Sequence, residues 1–190
     1  MMIKPEVMSL LSPELDYCVL KEKWFDWGGG DIYDRKGTVM GRMHRKVLSI
    51  RAFTEVTNSD ESMLFSVEKK LISMRPSYMI KDPQENVLGR TNRKIFTLFR
   101  PQLWLEDEQG NKILEAQGNV MGRNFEIKDT GNRPIAQVAK TDFFRDLIFG
   151  GSLFDYSDTY AVKMLDRQYD KRLILGFVIA IDNSVHDKNR

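Results

Sequence analysis

A single cysteine, Cys18, excludes an internal disulfide and fits a reducing compartment. With no partner at sequence level, its thiol reads as a packed side chain. Histidine is almost as scarce. The only two are His44 and His186, and the second belongs to a polar stretch, His186 to Arg190, that reads as a frayed tail. Metal and nucleophile chemistry are poorly supplied, so no enzyme activity, metal site or cofactor is expected. Charge is nearly balanced: 29 Lys and Arg against 27 Asp and Glu leave a net +2, too little to argue for a nucleic-acid partner. Long apolar runs are missing too. A bilayer-spanning helix needs about 20 apolar residues. Leu173 to Ile181 is nine residues without a polar side chain, with Lys171 and Arg172 before it and Asp182 after it. Met1 to Leu15 holds no apolar core of signal-peptide length. No low-complexity linker interrupts the 190 residues, which fit one soluble globular domain.

What is present is repetition. The stretch from Ile32 to Ile50 aligns without a gap on Ile80 to Leu98, at an offset of 48 residues. A weaker third copy runs from Ile127 to Lys140. Each copy has an alternating apolar run, then Asp with Gly, Asn or Pro, then another alternating run. Asp and Asn side chains bond nearby backbone and Gly accepts positive φ, so these clusters reverse the chain. Further turn signals lie at Thr57–Ser62, Glu106–Asn111 and Asp155–Asp158. Phe65–Val67, Leu103–Leu105 and Ile113–Ala116 read as strand pieces between them. About six hairpins make about twelve strands, and a short helix is possible near Arg145 to Phe149.

The nine-residue apolar run reads on its own as a buried strand or as a helix apolar on every side, and periodicity alone does not choose. Asp170 is a fair N-cap for the helix. Twelve antiparallel strands lose their edges by closing into a barrel. Eight strands leave a lumen that side chains fill; twelve leave a wider one, and a helix about 10 to 12 Å across fits it. The expected fold is therefore mainly β: a closed antiparallel barrel of about twelve strands around a buried C-terminal helix, with Leu173, Ile174, Phe177, Val178 and Ile181 in the core. Residues 1–14 form an N-terminal extension, 15–187 a single domain and 188–190 a tail.

This order of features resembles the LURP-one-related family, within the tubby C-terminal-like group that includes the phospholipid scramblases. The residues that carry it are Trp24-Phe25-Asp26-Trp27, the Asp-Gly hairpins, Phe125 to Asp129, Asp158 to Val162, and Leu173 to Asp182. They cover about residues 15 to 187, and their joint order is more specific than any one motif. The resemblance implies a twelve-stranded barrel around a C-terminal helix and a family not known for enzymes. Tubby domains are linked with phosphoinositides and transcriptional regulation, and scramblases with calcium-dependent lipid movement. The matching calcium segment here, Asp155 to Asp166, offers three Asp with Lys163 among them, and one acidic position falls on Tyr156. Calcium takes six to eight oxygens, so turn roles are expected for these residues.

Two other features are candidate sites. Gly-Arg-x-x-Arg-Lys occurs twice, as Gly41 to Lys46 and Gly89 to Lys94. Arg forks suit phosphate geometry and Lys adds point charge. Arg42, Arg45, Lys46, Arg90, Arg93 and Lys94 are therefore candidates for anionic headgroups, or else solvated charges on outward strand faces. On an unbroken strand Arg42 and Lys46 share a face while Arg45 points the other way, so a bulge is needed to gather all three. The segment Phe143 to Phe154 is strongly apolar and longer than the family turn. Phe144, Leu147, Ile148 and Phe149 fit one side of a helical turn, either as a contact surface for a membrane or partner or as a lid over the barrel mouth. Gly28-Gly29-Gly30 lacks the Lys-Ser/Thr of a phosphate loop and reads as a loop after Trp27. The leading expectation is a cytoplasmic, peripheral-membrane binding module for anionic, phosphoinositide-like phospholipid. An adaptor that binds another protein in regulation or stress response is the alternative. Scramblase-like activity comes third, weakened by the lack of a terminal membrane-length helix.

Overall fold

The computed structural model describes residues 8–22, 29–46, 53–70, 77–94, 102–119, 124–140 and 159–186. Twelve strands and one helix follow one another. The strands are β1 (Tyr17–Glu22), β2 (Gly30–Tyr33), β3 (Val39–Lys46), β4 (Phe53–Asn58), β5 (Met63–Lys69) and β6 (Tyr78–Lys81). Then come β7 (Val87–Lys94), β8 (Gln102–Glu106), β9 (Lys112–Asn119), β10 (Asn124–Asp129), β11 (Pro134–Lys140) and β12 (Thr159–Met164), before α1 (Lys171–His186). Each strand pairs antiparallel with its neighbours in sequence, and β1 pairs with β12 to close the barrel. The expected architecture is the observed one. The strand pieces at Phe65–Val67, Leu103–Leu105 and Ile113–Ala116 fall in β5, β8 and β9.

Five hairpins share one construction. They are led by Asp34, Asn58, Asp82, Asp107 and Asp129. In each, the third residue on donates its N–H to the leader's carbonyl, at 3.0 to 3.2 Å, for example Gly37 to Asp34 at 3.1 Å and Glu85 to Asp82 at 3.0 Å. That third residue takes the left-handed conformation: Gly37, Glu61, Glu85, Gly110 and Asn132 have φ of 81°, 67°, 67°, 86° and 62°. This is a type I turn closed by a bulge. The pairing accordingly slips by one residue just before each turn, as between Ile32 and Tyr33 and between Ile80 and Lys81. Four leaders use their carboxylate as well. Thr38, Asn86, Asn111 and Arg133 donate backbone N–H to the Oδ1 of Asp34, Asp82, Asp107 and Asp129 at 2.7 to 2.9 Å. In the fifth turn Asp60 takes that role toward the N–H of Ser62, at 3.0 Å. Asn58 is thereby free to accept the N–H of Leu10 at 3.0 Å. Leu10, which precedes the barrel domain as delimited at residue 15, is fully buried in the core.

β12 runs toward the same end as these turns, so α1 enters the barrel there. Asp170 caps it: the Arg172 N–H reaches Asp170 Oδ1 at 2.9 Å, and the Arg172 guanidinium folds back onto the same carboxylate at 2.6 Å. This pairing offsets the cost of a cation in the first turn. Ile174, Phe177, Val178 and Ile181 are buried in the core, and Leu173 is half-buried and packs against it. Gly176 sets the closest approach. A Cβ there would lie 2.8 to 3.0 Å from Cδ1, Cγ2 and Cγ1 of Ile80 on β6. On the outer face a second small cluster joins Tyr17, Val19 and Ala161, with Tyr33 packed against it.

Two tests follow from this packing. Gly176→Ala gains helix propensity of about 1 kcal/mol, yet the overpacking is expected to win and cost about 1 to 3 kcal/mol in urea unfolding. Ile80→Val removes the nearest atom, so the double variant is expected to be less destabilised than the sum of the singles by about 0.5 kcal/mol or more. Simple additivity would show that the contact does not limit the approach. The second test is acidification. Hydrogen bonds from the side chains of Ser62, Asn86 and Asn111 hold Asp60, Asp82 and Asp107 below the usual carboxylate range, and the backbone N–H of Arg133 does so for Asp129. Their contribution is present above the unfolded value of about 3.9 and is lost as pH falls through the lower folded values. The urea midpoint is expected to fall below about pH 4, and less steeply with Asp82→Asn and Asp107→Asn together, because Asn accepts the turn N–H without titrating. Equal pH slopes would contradict this account.

Candidate functional site

β3 runs unbroken against β4 from Gly41 to Lys46, so alternation sorts the first basic motif without a bulge. Gly41 and Met43 are buried on the inner side, while Arg42, His44 and Lys46 face outward. Arg45 has the inward parity of Met43 and is half-buried. The strand therefore does not gather Arg42, Arg45 and Lys46 on one face. In the second motif Arg90 is exposed, and Arg93 is half-buried with its Nε lacking a hydrogen-bond partner among the described residues. Lys94 ends β7. β3 and β7 are separated by three strands around the barrel, so the two motifs do not form one patch.

The outward cations of β3 have counterions that the motif does not contain. Arg42 pairs with Glu61 of the β4–β5 turn, and its Nε lies 3.8 Å from Asp31, its register partner on β2. Asp31 also accepts the hydroxyl of Tyr33 at 3.1 Å. Burial, then the hydrogen bond to Asp31, push the Tyr33 phenol up. His44 Nε2 stands 3.5 Å from Glu61 Oε2 and 3.4 Å from Thr57 Oγ1. Lys46 lies 3.5 Å from Glu55 and 5.3 Å from the centre of the Phe53 ring.

A cleft opens where β2 begins. Gly30 pairs with Met43, so β2 starts three residues short of the end of β3 at Lys46. The end of β3 from Arg42 to Arg45 forms one rim of this cleft. Gly29, Gly30, Asp31, Arg42, Met43, His44 and Arg45 line about 280 Å³ there. Arg42 and Arg45, sorted to opposite faces by the strand, both line this cleft. Gly30, expected in a loop, is the first residue of β2. The barrel interior is different. Two cavities there measure about 20 Å³, beside Leu20, Tyr160, Val178 and Asp182, and about 10 Å³, beside Arg93, Phe177 and Ser184. Spaces of that size take about one water each.

Cys18 is fully buried, and burial pushes its thiol up to about 12. Among the described residues no group of three His, Cys, Asp or Glu is placed to hold a metal. Asp166 pairs with Arg133 at 3.2 Å. Asp155 and Asp158, Trp24 to Trp27, and Phe144, Leu147, Ile148 and Phe149 lie outside the described residues. No described helix is long and apolar enough to cross a membrane.

The sequence profile of the LURP-one-related family matches residues 18–182, nearly the whole barrel and most of α1. The chain belongs to the LURP-one-related family. An X-ray structure of a protein from Arabidopsis thaliana has the same fold at 10% sequence identity, with a TM-score of 0.60 over 95% of this chain and 98% of that one. No curated protein is similar enough in sequence to count as a relative. In this LURP-one-related barrel three residues at or beside the site, His44, Glu61 and Asp31, carry no binding motif in the sequence. Asp31 was within reach, since the Asp34–Gly37 turn sets the register that places it opposite Arg42.

Proposed function

We propose that this LURP-one-related barrel is a non-enzymatic binding module that contacts anionic phospholipid at a membrane surface, as a peripheral cytoplasmic protein. The observation that carries the reading is the rim cleft of about 280 Å³, where Arg42, His44 and Arg45 meet the backbone of Gly29 and Gly30. Guanidinium forks match the oxygens of a phosphate, and two of them approached from one side favour a group with at least two charges. The filled interior supports an external site, because a helix occupies the space in which an acyl chain would otherwise be held.

Co-sedimentation with vesicles tests this. Phosphatidylcholine vesicles doped with phosphatidic acid are expected to bind the protein at low salt, and undoped vesicles are not. Arg42→Ala with Arg45→Ala is expected to weaken binding about ten- to thirtyfold, since each basic residue near such a surface contributes roughly 1 kcal/mol. The same change should flatten the salt dependence, while Lys112→Ala on β9 leaves binding unchanged. Calcium is expected to make no difference. Wild-type protein that ignores phosphate-bearing vesicles at low salt would remove the lipid reading and favour a protein-binding adaptor.

A further inference from the structure

The left-handed position of the hairpin turns is occupied by Gly at 37 and 110, by Asn at 132, and by Glu at 61 and 85. Turn geometry alone favours Gly there, because an L side chain in that conformation crowds the following carbonyl oxygen. Glu61 directs its carboxylate onto β3, outside its own hairpin, and Glu85 onto Lys81 of the strand that leads into its turn, and the two settings differ. Glu85 meets Lys81 at 2.9 Å, and the same ammonium is held at 2.7 Å by Glu68, whose side chain is 8% exposed. There the cation, Lys81 at 17% exposed, and this second partner are shielded, although Glu85 itself is 64% exposed. Glu61 bridges Arg42 and His44 in the open, with the three side chains 53%, 42% and 46% exposed. One carboxylate thus spans two of the donors that line the rim cleft. Asp31, only 11% exposed and bonded by Tyr33, sits on the sheet side of Arg42 and orients the guanidinium.

Building on the reading of this cleft as a phosphate site, we infer that Glu61 is an intrinsic competitor for it. Glu61 does not itself line the cleft, but its carboxylate engages Arg42 and His44, the donors that a phosphomonoester dianion there requires. An exposed ion pair is worth little, so a ligand with greater charge and more acceptor oxygens displaces it. In the unliganded protein the same contact neutralises Arg42 and holds it at the rim.

The test is a double-mutant cycle between Glu61→Gln and Arg42→Gln, read by affinity. One probe is phosphatidylcholine vesicles containing phosphatidic acid, and the other is soluble glycerol 3-phosphate. Glu61→Gln is expected to bind about two- to fivefold more tightly than wild type, the value of one exposed pair. Glu61→Gly, which relieves the turn, is expected to show the same gain with undiminished thermal stability. In the Arg42→Gln background the gain is expected to vanish. A gain with vesicles alone assigns the phosphate to a lipid, and a gain with both probes assigns it to phosphomonoesters generally. A gain that persists without Arg42 would reduce Glu61 to a general negative field and overturn the inference. So would an absent gain while Arg42→Gln still weakens binding, and that outcome leaves the phosphate reading intact. Unchanged binding in Arg42→Gln would overturn both.

Discussion

A twelve-stranded barrel and an all-apolar helix are each unstable alone, and the structure depends on how they complete one another. The barrel is wider than the eight-strand case that side chains can close. The helix from Leu173 to Ile181 has no face that water would accept. Placing one inside the other buries Ile174, Leu175, Phe177 and Val178 against the inward residues of the strands. Fully burying a large apolar side chain stabilises by roughly 1.5 to 3 kcal/mol, so a few such residues match the net stability of a domain. The fit is close enough that Gly176 has no room for a methyl group against Ile80. At the entry to the barrel, Lys171 is buried and donates to the Arg167 carbonyl at 3.2 Å, and desolvation pushes its ammonium down. The helix therefore enters with one cation that packing tolerates and hydrogen bonding offsets only in part.

Those two halves were legible for different reasons. The helix could be read because nine apolar residues between charged flanks need complete enclosure. The barrel could be read because its hairpins repeat, and an offset of 48 residues places Asp34 on Asp82. The bulge before each turn was hidden, since the left-handed residue is Gly in only two of the five and Glu in two others. Leu10 was hidden too. Its burial rests on an N–H to Asn58, a pairing across 48 residues that no local pattern announces.

The candidate site was the least legible part, because a repeated motif does not repeat its surroundings. Arg42 and Arg90 occupy equivalent positions in the two copies. Arg90 lies opposite Glu106, which is already engaged by the Trp104 indole at 2.6 Å and the Asn92 amide at 3.2 Å. Arg42 lies opposite Asp31 on β2, where Arg90 has Met79 opposite it on β6. The strands of the two copies have the same lengths, so the sites differ in the residues around the motif. Alternation could be applied to β3 from sequence, and it correctly separated Arg45 from Arg42. It could not show that both line the cleft.

Exposure then decides which charges are available to a ligand. Lys81 and Glu68 are shielded, and breaking such a pair strands a poorly hydrated charge, a loss of several kcal/mol. Neither partner can be recruited without unsettling β5 and β6. Arg42 and Glu61 have water beside them, so the guanidinium loses little when it changes partners. Weak intramolecular pairing of this kind has a consequence for affinity. It keeps the site from being an unneutralised cluster of cations, whose mutual repulsion would cost stability, while setting only a small barrier to an incoming anion. On the proposed phosphate reading such a site would select charge density more than shape, because its rim sets Arg42, His44 and Arg45 beside Asp31, Met43 and backbone with little enclosure. Strong attachment to a single small anion is therefore not what this geometry favours. On the proposed reading, a surface that presents many phosphates at high local density suits such a site better, since each dissociation is followed by a nearby opportunity to rebind.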